Sequence, residues 1–167
     1  MRSIPATARL LAVALAAAGF AALNVAGTPA LAAGGAHDHG HASAAVKPLP
    51  AGKRWATDDA LRKGMTEIRH ALEPQLGAIH DNKLAPEQYQ AIAAKAEQQV
   101  AYIVANCKLP PDADAALHGI IGEIGEATEA MSGKSTAKPR DGAVKLLGAL
   151  NDYGRTFDHP GWKKIRG

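Results

Sequence analysis

The sequence predicts an all-α fold, an antiparallel up-down-up-down four-helix bundle, and three observations carry that expectation. Apolar residues recur at spacings of three and four in four separate segments between residues 57 and 159. Pro86 and the Pro110-Pro111 pair stand where one segment stops and the next begins, a place where the missing proline N–H costs nothing. No stretch alternates apolar and polar residues with the period of two that a strand needs, and there is no tandem repeat. Four helices of similar length joined by short turns pack most simply as antiparallel neighbours. Abundant alanine and an aromatic content of only 4% suit close helix packing.

The first helix opens at Thr57, which with Asp58 and Asp59 makes an N-cap and an acidic first turn. Leu61, Met65, Ile68 and Leu72 follow on one face. Pro74 falls inside this pattern, so the helix either kinks there or restarts to carry Leu76 and Ile79. His80 to Lys83 form a turn. The second helix runs from Pro86 to about Cys107, with Tyr89, Ile92 or Ala93, Ala96, Val100, Ile103 and Cys107 along its stripe.

The third helix starts after Pro111, with Asp112 and Asp114 in its first turn, and aligns Leu117, Ile120, Ile121, Ile124 and Met131. His118 borders that stripe. Residues 132–139 read as a polar loop, and the fourth helix carries Leu146, Leu150, Tyr153 and Phe157 at four, three and four. His159-Pro160-Gly161 stops it, leaving Trp162 and a short basic tail over residues 160–167.

Ahead of the helices, residues 1–32 read as a secretory signal. Arg2 and Arg9 make a positive start, residues 10–26 are an apolar run broken only by Gly19 and Asn24, and Ala30-Leu31-Ala32 is a small-x-small cleavage site. That predicts a periplasmic protein cleaved after Ala32. The run is too short and alanine-rich for a retained anchor, and no later apolar stretch approaches the ~20 residues of a membrane span. Residues 33–56, rich in Ala, Gly, His and Pro, read as a flexible arm. Within it His37, Asp38, His39 and His41 form a tract able to gather a surface ion, or simply a polar linker.

Of 167 residues, removing 32 leaves 135, enough for one domain with a single core. The signal takes two arginines and no acids, so 17 basic residues face 16 acidic ones in the remainder. A near-neutral chain without a basic run gives no electrostatic case for nucleic acid. The lone Cys107 cannot make an internal disulfide; it is a buried thiol, a bridge to a second chain, or a metal ligand.

Antiparallel order would bring the start of helix one, the end of helix two, the start of helix three and the end of helix four to one pole. At ~1.5 Å per residue Met65 and His118 would lie about 10 and 9 Å in, with Cys107 and His159 near the rim. Trp55, Tyr102, Tyr153 and Trp162 would pack around the same pole. Thiol, thioether and two imidazoles suit a soft or borderline ion, copper before zinc. The bland reading stands beside it: a core methionine, a small buried thiol and a histidine helix cap.

The helix order and size resemble those of the exported four-helix cytochromes of the c-prime and soluble b types. The c-prime type attaches haem through CxxCH, which this sequence lacks. Resemblance to the b type implies haem b held by an early methionine and a late histidine, positions matched by Met65 and His159. The stretches IVANCKLPPDADAALH and YGRTFDHPGW are similar to those of a group of small exported proteobacterial proteins of unassigned role, some labelled DnrO-like. That likeness implies no mechanism.

Enzymatic motifs are missing: there is no G-x-S-x-G elbow, H-E-x-x-H, phosphate-binding glycine loop or EF-hand loop. The leading expectation is therefore a non-enzymatic periplasmic copper binder for sequestration or delivery. Cys107 and His118 would be its principal ligands, Met65 and His159 additional ones, and His37, His39 and His41 a low-affinity collector. The alternatives are a metal-free interaction or sensor bundle, with Cys107 packed or bridging a homodimer, and a non-covalent haem b binder.

Overall fold

The structure, a computed structural model, describes residues 52–167. The expected signal sequence, its cleavage site and the histidines of the arm lie outside the described residues. What is described is predominantly helical, with the four long helical segments the sequence predicts.

Helix α1, Asp59–Leu72, begins one residue later than Thr57 would have started it. Asp58 is the N-cap, its carboxylate accepting from the Leu61 N–H at 2.7 Å. Thr57 is occupied elsewhere, its hydroxyl donating to the Asp158 carbonyl at 2.8 Å. Leu61, Met65, Ile68 and Leu72 are all fully buried. At Pro74 the helix tightens into a 3₁₀ turn, Glu73–Gln75, and resumes as α2, Leu76–His80. Proline cannot donate to the helical ladder and its ring crowds the preceding turn, so the axis restarts there.

Helix α3, Pro86–Asn106, buries Tyr89, Ile92, Ala93, Ala96 and Ile103, with Gln99 rather than Val100 completing the stripe. Helix α4, Pro111–Met131, buries Leu117, Ile120, Ile124 and Met131. Helix α5, Pro139–Thr156, buries Leu146, Leu150 and Tyr153, and Phe157 follows fully enclosed. The tightest pairings are α4 with α5 and α1 with α3, followed by α3 with α4. Two glycines permit the first two. A Cβ on Gly64 would stand 2.7 Å from Ile103 Cδ1, and one on Gly142 would stand 2.7 Å from the Ala127 carbonyl oxygen.

Two features differ from the sequence expectation. Trp55–Ala56 form a short strand β1 that pairs in parallel with β2, Phe157–Asp158, Trp55 facing Phe157. Two residues are too few to show any alternation, which is why no strand is legible in the sequence. Arg54 reinforces the junction with a 3.2 Å ion pair to Asp158. The chain is thus fixed by residue 54, before the arm was expected to end.

Residues 160–167 are likewise no free tail. Ile165 is buried, and Asn151 of α5 grips its backbone from both sides, Oδ1 accepting from the Ile165 N–H at 2.9 Å and Nδ2 donating to its carbonyl at 3.1 Å. Arg69 donates to the Lys163 carbonyl at 2.7 Å. Among the described residues, no helix is long and apolar enough to cross a membrane.

Candidate functional site

The sequence singled out one pole, and several of its residues do meet. Cys107 caps the C-terminus of α3 with a half-buried free thiol, its N–H donating to the Ile103 carbonyl at 2.8 Å. The Asp58 carboxylate lies close enough to act on the thiol electrostatically. Burial first, and then the negative charge of Asp58, push it up to about 12. Burial also acts on Asp58, but hydrogen bonds from the N–H groups of Leu61 and Lys108 outweigh it and hold that carboxyl below its usual range.

Beside this pair, Tyr153 Oη lies 2.9 Å from His159 Nδ1. Burial pushes the Tyr153 phenol up, while burial together with the charges of Arg62 and Arg69 pushes His159 down. A neutral imidazole accepting from a protonated phenol is the arrangement both shifts favour. Trp162 closes over them, its ring edge-on to Tyr153 at 4.9 Å and tilted on His159 at 5.0 Å, with the Arg69 guanidinium over the ring, 5.0 Å from its centroid. Trp55 reaches the same pole through β1, whereas Tyr102 lies under Lys63, 5.0 Å from its ammonium.

The remaining proposed ligands stand apart from that network. Met65 is enclosed in the hydrophobic core. The His118 side chain is 68% exposed and turns back on its own helix, Nδ1 lying 2.8 Å from the Asp114 carbonyl oxygen. One position off the apolar stripe of α4 is enough to direct it outward. Among the described residues, no group of three or more His, Cys, Asp or Glu side chains converges as a metal site would require. His37, His39 and His41 lie outside the described residues. A thiol that retains its proton is a poor ligand and a poor nucleophile at neutral pH, since both roles need the thiolate.

A second region, which the sequence reading missed, has the shape of a ligand site. A crevice of about 620 Å³ lies between α2, α5 and the C-terminal segment. Leu76 and Ile79 come from α2, Val144 and Leu147 from α5, and Ile165 from the docked segment. That volume is within the range of small-molecule sites. Arg140, Lys164, Arg166 and His80 also line it, with no Asp or Glu side chain among the lining residues. Adjoining it, and sharing His80 and Arg140, is a more polar recess of about 570 Å³ that includes Tyr89, Lys138 and Asp141.

The signal for this crevice was present but weak. Val144 and Leu147 are apolar positions beside the Leu146–Leu150–Tyr153 stripe, widening it beyond what burial against α4 demands. Lys164-Ile165-Arg166 sets one apolar residue between cations, a pattern that reads as a solvated tail until Ile165 is seen to be buried. No family model, curated protein or solved structure matches this chain.

Proposed function

We propose that this chain is an exported, non-enzymatic helical bundle, up-down-up-down in order, that holds a small ligand in the crevice between α2, α5 and the C-terminal segment, as a carrier or sensor. The observation that carries this reading is the crevice itself: an apolar floor of ligand-sized volume with Val144 left 51% exposed upon it. The pairing of α1 with α3, α3 with α4 and α4 with α5 supports the bundle order. The signal-like residues 1–32 support export.

A neutral solvatochromic dye such as Nile red tests the reading directly. Uptake with a blue-shifted emission, abolished by Val144→Asp with helicity unchanged, is the expected result. Dye that fails to bind, or binds the variant equally, removes the crevice as the site.

Copper capture is the second reading, favoured by the alternation of His37, His39 and His41. In it the tract collects the ion, and Cys107 and His118 would become ligands only after the thiol leaves Asp58 and the imidazole leaves Asp114. Protein that retains stoichiometric copper or zinc, and loses tight Cu(I) binding on joint replacement of Cys107 and His118, would establish it. Metal-free protein that takes up no Cu(I) under reducing conditions would exclude it. Haem b held by Met65 and His159 would have to displace Tyr153 from the imidazole, and a Soret band on haemin addition would report it.

A further inference from the structure

Resting on the crevice as the ligand site, we propose that its occupant is a single-chain anionic amphiphile, a fatty carboxylate whose acyl chain lies on the Leu76, Val144 and Leu147 floor and whose head is held by Arg140. The charge distribution is the first argument. Among the described residues Arg54, Arg62, Arg69 and Arg155 each hold a carboxylate. Arg140 and Arg166 hold none, and both line this crevice, as does Lys164, equally without an ion-pair partner there. Gly167 brings its carboxylate to the lining as well, yet Arg140, Lys164 and Arg166 outnumber it, and a cationic surplus around an apolar floor complements an anionic ligand with an apolar body.

Arg140 is also oriented in advance. Its Nε donates to the Ile79 carbonyl at 3.1 Å, at the C-terminus of α2. With Nε engaged there, the terminal guanidinium nitrogens remain for a planar, two-pronged acceptor, the geometry a carboxylate offers. Lysine could not reproduce that fork.

The adjoining polar recess supplies an independent observation. Tyr89 lines it and is 5% exposed, and its hydroxyl is buried with no hydrogen-bond partner among the described residues. A buried donor without an acceptor is rare in a finished fold. A carboxylate is an acceptor with several lone pairs, and the two recesses meet at Arg140 and His80. Asp141 is the one acid lining this second recess, which restricts the favourable position for the head to the Arg140 side.

The test is displacement of the neutral dye from the purified protein by three twelve-carbon amphiphiles below their critical micelle concentrations: dodecanoate, dodecyltrimethylammonium and dodecyl maltoside. Dodecanoate should compete at about tenfold or more lower concentration than the cation, and added salt should narrow that gap. Arg140→Gln and, separately, the exposed pair Lys164→Glu with Arg166→Glu should each weaken dodecanoate about tenfold relative to dodecyl maltoside, with helicity unchanged by circular dichroism. Equal competition by all three amphiphiles, or by none while the dye is bound, overturns the carboxylate assignment and leaves the crevice as a binding site. Failure of the dye itself overturns the crevice reading and the assignment with it. Dodecanoate binding unchanged in both charge variants overturns the role given to the cations.

Discussion

Asp58 and Lys108, fifty residues apart, are joined by a 2.6 Å hydrogen bond from the Lys108 N–H to Asp58 Oδ2. The other carboxylate oxygen caps α1 through Leu61. One side chain therefore starts one helix and fastens the exit of another, with the Cys107 thiol close enough to feel its charge. Removing this carboxylate strands two backbone N–H groups at once.

Asp58→Ala should accordingly destabilise the protein by about 2–3 kcal/mol, more than a simple cap, because the Lys108 donor is orphaned as well. Chemical denaturation followed by circular dichroism measures it. Thr57 cannot substitute, since its hydroxyl already serves Asp158. A loss no larger than about 0.5 kcal/mol would show that the Lys108 contact contributes nothing.

Cys107 should be slow to react. With its thiol pushed up to about 12, the thiolate fraction at pH 8 is far smaller than for a free cysteine. Ellman's reagent should modify the native protein much more slowly than the unfolded chain, and Asp58→Asn should speed the native reaction by removing the adjacent charge. Fast native labelling, or a dimer on a non-reducing gel that disappears on Cys107→Ser, would instead favour the bridging role that a lone cysteine leaves open.

His159 gives the fold an acid-sensitive joint. Its pKa is lowered in the folded state by burial and by Arg62 and Arg69, so between the folded value and the unfolded value near 6.5 the unfolded chain binds more protons. Its contribution is complete above about pH 6.5 and is lost as pH falls through the folded pKa. The denaturation midpoint should drop from pH 7 to pH 5, and His159→Gln should flatten that part of the profile. An unchanged slope in the variant would assign the acid sensitivity to the carboxylates.

The stripes of the four long helices were legible because burial at period 3.6 leaves few alternatives: Leu61, Met65, Ile68 and Leu72 are buried as spaced. The level of a residue along a helix was legible too, and it brought Cys107 and His159 near one pole. Rotation about the axis was not. His118 lies one residue from Leu117, yet that step of about 100° turns its imidazole from core to solvent. The role of Asp58 in ordering Lys108 was likewise hidden, since a contact across fifty residues leaves no local pattern. For the same reason, the crevice depends on Asn151 gripping Ile165, and no period in the sequence announces it.

That grip is itself testable. Ile165→Ala should cost about 2–4 kcal/mol, as for any enclosed aliphatic residue, which a free tail could not do. Asn151→Ala should release the same segment by removing both of its backbone contacts. Faster carboxypeptidase trimming of residues 163–167 in that variant is the direct readout, with loss of dye binding alongside because the segment walls the crevice.

Glycines separate into two kinds that should respond to alanine with opposite sign. Gly64 and Gly142 sit where helices touch, and a methyl there must displace Ile103 or press on the α4 backbone, costing about 1–3 kcal/mol. Gly142→Ala should be the worse, because the Ala127 carbonyl oxygen and the Met131 backbone nitrogen cannot swing aside as a side chain can. Gly122 has nothing within 4 Å of its would-be Cβ and lies on an exposed helical face, so Gly122→Ala should stabilise by about 0.5–1 kcal/mol through the unfolded chain. Pairing Gly64→Ala with Ile103→Ala distinguishes contact from propensity: the double variant should cost less than the sum of the two singles, because the added methyl fills part of the space Ile103 vacates. Strict additivity would mean that α1 and α3 do not approach as closely at Gly64 as their packing requires.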